Sequence, residues 1–169
     1  NHAFAKITGK ADVTSTGKLE VAPLMLGESA VNVYQLNRVQ PSYMEILTTI
    51  NVDKDKAGFK SNAYIIFDFQ SATGFKFAGV DVGIDKIQIG HYTEDGWIVD
   101  KQISMQLKND IDYDLTLVLY GTVATIWVDE TVSMNYDFGE PLNDDGYIGL
   151  GTDNAVARFD DWQVQKLPP

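Results

Sequence analysis

The chain contains no cysteine in 169 residues. Disulfides, thiol nucleophiles and thiolate metal sites are therefore excluded. That absence fits bacterial cytoplasmic proteins and also long bacterial surface proteins stiffened by other means. The two histidines, His2 and His91, argue against a zinc centre built on imidazoles. No apolar run reaches the length of a membrane span. No secretory signal is visible, but the chain starts abruptly at Asn1, as an excised fragment does. No Asn-x-Ser/Thr sequon occurs. Positive charge is scarce in the second half: residues 81–169 carry five Lys/Arg against seventeen Asp/Glu, while 1–80 carry eight against seven. A net charge of −11 repels phosphate backbones, so nucleic acid is not an expected partner. The same acidity suits divalent cations, high salt or plain solubility.

What is present is alternation. Hydrophobic residues make up 44% of the chain, enough to fold as one domain with a sizeable core. No helical period of useful length appears. Short alternating runs are broken by Gly, Asp and Asn. "SYMEILTTINV" (42–52) sets Tyr43, Glu45, Leu47 and Thr49 on one face and Met44, Ile46, Thr48 and Ile50 on the other. "AYIIFDFQ" (63–70) sets Tyr64, Ile66 and Asp68 against Ile65, Phe67 and Phe69. Further strands are expected at 18–23, 30–37, 74–82, 86–92, 97–107, 113–121, 122–130, 132–138 and 147–151. Turns are expected at "TEDG" (93–96) and "NDDG" (143–146). A strand every ten to twelve residues predicts an all-β fold. The alternative architecture is a barrel, but about a dozen strands favour two stacked antiparallel sheets, a β-sandwich, since large open sheets split or curl. The polar, Gly/Thr-rich stretch 1–17 reads as irregular, within a single domain spanning 1–169.

The last run, "NAVARFDDWQVQ" (154–165), carries Asp160 and Asp161 in mid-strand. Aspartate is a poor strand residue and costly to bury. Phe159 and Val164 are five apart, so a regular strand would point them to opposite faces. A β-bulge at Asp160–Asp161 repairs the phase and places Phe159, Trp162 and Val164 on one side. The two acids then have two readings. They are carboxylates that accept backbone N–H bonds, or oxygen donors for Ca²⁺ beside a freed carbonyl.

"SNAYIIFDF", "FKFAGVDV", "IQIGHYTEDGWIVD", "YDLTLVLYGTVATIWVDE" and "GYIGLGTDNAVARFDDWQV", in that order, resemble the concanavalin A-like, laminin-G-like jelly-roll modules of large bacterial extracellular (RTX-type) adhesins. The likeness covers roughly residues 18–167. It implies two antiparallel sheets, one concave, and an extracellular, cell-surface location. It also implies a structural Ca²⁺ where the N-terminal segment meets the final strand. The matching position is Asp160, with Asp161 beside it and Asp12 or Glu20 as the N-terminal partner. The usual Phe-x-Asp-Gly opening strand is missing from "NHAFAKITGKADVTSTG", so that strand lies outside 1–169 or the parent domain is split.

Catalytic patterns are not found. The Glu-x-Asp-x-(x)-Glu strand of jelly-roll glycanases is absent, and in "VDETVSMNYDFGE" a turn separates Asp129 and Glu130 from Asp137 and Glu140. There is no Gly-x-Ser-x-Gly. "DKDKAG" (53–58) starts like a calcium loop but lacks its third and closing ligands. "GTDN" (151–154) lies between two strands, so Asp153 and Asn154 are placed either to face a ligand or, as the commoner outcome, to stabilise an Asx turn. Sugar sites in sandwich modules stack exposed aromatic faces on pyranose rings. The candidate glycan contact is His91, Tyr92, Asp95 and Trp97, around the 93–96 turn. Trp127 alternates out of phase with Ile126 and Val128 and is expected to be exposed, while Trp162 is expected in the core. The expected function is a non-catalytic, monomeric surface-adhesin module for ligand display or attachment, Ca²⁺-stabilised. Glycans or neighbouring domains would be its partners. A carbohydrate-binding module is the alternative, and a glycan hydrolase of the same fold the second.

Overall fold

The computed structural model describes residues 4–36, 43–54, 57–142 and 146–166. Fourteen strands run through them: β1 (Ala5–Thr8), β2 (Lys10–Val13), β3 (Leu19–Ala22), β4 (Ser29–Gln35), β5 (Tyr43–Val52), β6 (Asn62–Ser71), β7 (Gly74–Asp81), β8 (Lys86–Thr93), β9 (Gly96–Ser104), β10 (Asp112–Tyr120), β11 (Val123–Val128), β12 (Val132–Asp137), β13 (Tyr147–Asp153) and β14 (Ala157–Lys166). A 3₁₀ turn, Val82–Ile84, links β7 to β8. The strands form two seven-stranded sheets, ordered β1-β4-β13-β6-β7-β8-β9 and β12-β11-β10-β5-β14-β3-β2. Every strand pairing is antiparallel. The expected sandwich is therefore the observed architecture.

Alternation built it as the sequence indicates. In β5 every second residue, from Met44 to Val52, is buried. Leu115, Leu117 and Leu119 of β10 turn inward beside them. Ile65, Phe67, Ile87, Ile89 and Ile148 close the core from the opposite sheet. Each such side chain contributes about 1.5–3 kcal/mol by leaving water.

Two local differences from the sequence reading have clear causes. The 1–17 stretch is not irregular throughout, because β1 pairs with β4 and β2 pairs with β3. Gly9, at φ 77°, lets the chain pass from one sheet to the other between them. In β6, strict alternation fails at Asp68, which has φ 46°, and the register with β7 slips between Phe67 and Ser71. Phe69 therefore joins Tyr64 and Ile66 in an outer cluster, and Asp68 reaches Lys76 instead.

The β14 bulge is present. The register with β5 shifts between Asp160 and Gln163, and Asp161 sits at φ 51°. Phe159 is core, and Trp162 and Val164 pack against it on the same side. Trp162 is in the core neighbourhood as expected, edge-on to Phe4 and Tyr34, with its Nε1 donating to the Tyr34 hydroxyl at 2.7 Å.

Candidate functional site

The two outer faces of the sandwich differ. The outer face of the first sheet carries a second apolar cluster: Val31, Val33, Tyr64, Ile66, Phe69, Phe75 and Phe77 are all buried there. Trp97 closes it. Its ring stacks on Tyr64 at 5.3 Å and meets Phe77 edge-on at 4.9 Å. Its Nε1 donates to Ser29 Oγ at 2.8 Å, although four strands separate β9 from β4 in the sheet. That bond requires the sheet to curl over its own aromatic face. Glycines permit the curl: a side chain on Gly90 would collide with the Ile98 carbonyl, and one on Gly149 with that of Asn32. The Tyr64 hydroxyl donates to Gln88 at 2.6 Å, so this buried pair is satisfied internally.

The outer face of the second sheet is open. One row runs straight across five strands: Ser133, Trp127, Thr116, Leu47 and Gln163 are successive register partners from β12 to β14. Two depressions, of about 230 and 300 Å³, lie along it and share Leu47, Thr116 and Glu130. Together they form one groove. Trp127 flanks it and is 38% exposed. Val118 and Leu47 supply an apolar floor, while Glu45, Asp114 and Glu130 supply acceptors. Asp114 Oδ1 already accepts from Thr49 Oγ1 at 2.8 Å, which fixes that carboxylate.

The twin aspartates part company here. Asp160 turns back on the chain: its Oδ1 accepts from the Asp161 amide at 2.9 Å, and its carbonyl accepts from Thr48 Oγ1 at 2.8 Å. Asp161 lines the groove beside Gln163. The calcium ligands implied by the resemblance are not assembled. Glu20 lies opposite Asp12 in the β2–β3 ladder, but the Arg158 guanidinium sits 3.2 Å from its carboxylate. Arg158 also meets Asp53 at 2.7 Å and Asn51 at 2.6 Å. A cation already fills that position, which does not fit a second one. Among the described residues no group of three or more His, Asp or Glu is placed to hold a metal ion.

The proposed glycan contact around the 93–96 turn divides in the same way. The turn itself forms, with Thr93 and Gly96 paired across it. Tyr92 and Trp97 meet at 5.4 Å on the outer aromatic face. His91 is next in register to Lys76 and binds Asp100 at 2.7 Å through Nδ1. Asp95 is exposed at the turn tip, its amide donating to Thr93 Oγ1. So two of the four residues are packing partners, and four do not form one surface. Trp127, read as exposed, is 38% exposed and lines the groove, while Tyr120 of β10 is 56% exposed but is not among the residues that line it. The sequence carried that signal as a phase, but not the groove partners of Trp127, which include Glu45 and Leu47 from the distant strand β5.

Asn154, at φ 51°, ties three loops rather than facing a ligand: its side chain accepts from Gly27 N and donates to the Gly58 carbonyl, each at 2.7 Å. Parts of the 53–58 and 143–146 segments, and His2, lie outside the described residues.

No family model matches the chain, and no curated protein matches it in sequence. Solved structures match in shape. The carbohydrate-binding module CBM66 from Bacillus subtilis superposes with a TM-score of 0.78 at 13% identity, over 98% of each chain. The Caenorhabditis elegans galectin LEC-6 gives 0.57 at 10% identity, over 85% of this chain and 99% of its own. A toad ovary galectin, solved in complex with thio-digalactose, gives 0.58 at 9% identity, over 79% and 96%. At these identities the likeness is one of fold: the chain is a jelly-roll β-sandwich, as these neighbours are.

Proposed function

We propose that this domain is a non-catalytic carbohydrate-binding module, with the second-sheet groove as its sugar site. The observation that carries the reading is Trp127, held half out of the sheet over a groove rimmed by hydroxyl, amide and carboxylate groups. An exposed indole face covers the apolar face of a pyranose, and fixed acceptors take its hydroxyl protons. The CBM66 and galectin neighbours support a sugar ligand over the adhesin reading. Display on a cell surface is compatible with this role and stays part of the proposal. Catalysis is not part of it, since no glycanase carboxylate pattern occurs in the sequence.

A glycan array spanning neutral, amino and acidic sugars tests it. Binding is expected, and Trp127→Ala should weaken it at least tenfold, about 1.4 kcal/mol, with an unchanged unfolding midpoint. Silence across the array removes the function. Binding that survives Trp127→Ala removes the site.

A further inference from the structure

Away from the groove, the edge where the two sheets meet holds a buried cluster that sugar binding does not use. Asp68 is 1% exposed and Lys76 9%. Lys76 Nζ donates to Asp68 Oδ2, and to Glu140 Oε1 at 2.9 Å. The Phe138 ring lies 5.2 Å from Nζ and edge-on to Phe67 at 6.1 Å. The β6 irregularity is what turns Asp68 to this side, where Lys76 shares the inward face of β7 with Ala78 and Val80. The amine, a carboxyl and a second carboxylate are thus held together against an aromatic wall.

We propose that Lys76 and Asp68 are joined by a spontaneous intramolecular amide (isopeptide) bond, with Glu140 as the proton-transfer group. Burial disfavours the Lys76 ammonium, but the bonds to Asp68 and Glu140 outweigh it and hold the pKa above the ordinary value. The free amine therefore arises inside the pair, as one proton passes from Nζ to the Asp68 carboxylate. Nζ then adds to Cγ of the neutral acid. The Glu140 carboxylate, kept ionised by Lys76, takes a second proton from Nζ and returns it to the departing hydroxyl. One C–N bond forms, one C–O bond breaks and one water leaves. Glu140 is regenerated, and no oxidant, reductant or cofactor is needed. Fixed proximity replaces an encounter between reactants. The reactant is a desolvated ion pair and the product a neutral amide, so burial favours the product.

Intact mass spectrometry of the full chain is the test. The expected mass is one water below that of the sequence, and digestion should release a branched peptide joining Lys76 to Asp68. Lys76→Arg and Glu140→Ala should both restore the full mass. Glu140 is largely exposed, so its truncation leaves the fold intact, as circular dichroism would verify. Full mass in the folded wild-type protein after prolonged incubation overturns the bond. Water loss without the branched peptide, as from a succinimide, overturns it too. An undiminished bond in Glu140→Ala overturns the role of Glu140.

Discussion

Asp161 illustrates how much one backbone angle decides. At φ 51° an aspartate is tolerated where a β-branched residue is not, because its short side chain adapts to the left-handed region. Asp161→Gly is expected to keep the fold and weaken sugar binding by removing a groove acceptor. Asp161→Val is expected to lower stability by about 1–2 kcal/mol in a denaturant titration. Asp81 offers a test in pH. Burial pushes its carboxyl up, despite the amide of Gly83 that donates to it. A carboxyl with a raised folded pKa binds its proton more tightly when folded. Its charge therefore weakens the fold above that pKa, and the penalty vanishes below the ordinary carboxyl range. Asp81→Asn keeps an acceptor for Gly83. It should raise the thermal midpoint at neutral pH and leave it unchanged near about pH 3. Equal midpoints at both pH values would contradict this account.

Among the elements, β9 is the most informative. Its Trp97 is an anchor for the curled first sheet, touching Tyr64, Phe75, Phe77 and Tyr92 and reaching Ser29. Trp97 is half-buried, so Trp97→Ala is expected to cost about 3 kcal/mol, the low end for aromatic truncation. Glycan affinity should change little in whatever protein remains folded. Loss of binding at full stability would instead move the sugar site to the first sheet. The strand pattern of β9 was visible in the sequence, but the role of Trp97 was not. Packing and ligand stacking use the same residue type, and only the curl of the sheet separates them. Asp68 carries the same lesson. Alternation placed it with Tyr64, and a backbone irregularity that leaves no mark in the hydrophobic pattern moved it to Lys76.

For the molecule as a whole, the acid surplus of the second half does not gather into a cation cage among the described residues. Arg158 instead binds the nearest carboxylates, Glu20 and Asp53. Thermal unfolding is expected to show the same midpoint in Ca²⁺ and in chelator. A midpoint that rises with Ca²⁺ would require ligands other than Asp12, Glu20, Asp160 and Asp161. Arg158→Ala should leave Glu20 and Asp53 without their shared cation and destabilise the domain by about 1–3 kcal/mol, read by chemical denaturation.

Period-two alternation by itself determined the sandwich, its strands from β3 to β14 and the β14 bulge, but not β1 and β2, which lie in the stretch read as irregular. These follow from the rule that neighbouring side chains on a strand point to opposite faces, which is written locally in the chain. Tertiary structure alone decided which residues meet across strands. Trp127 over Leu47 and Glu130, Arg158 against Glu20, and Lys76 between Asp68 and Glu140 all join distant segments or depend on a slipped register. Contacts of that kind depend on sheet order, curl and the lateral stacking of strands, and no local pattern encodes them.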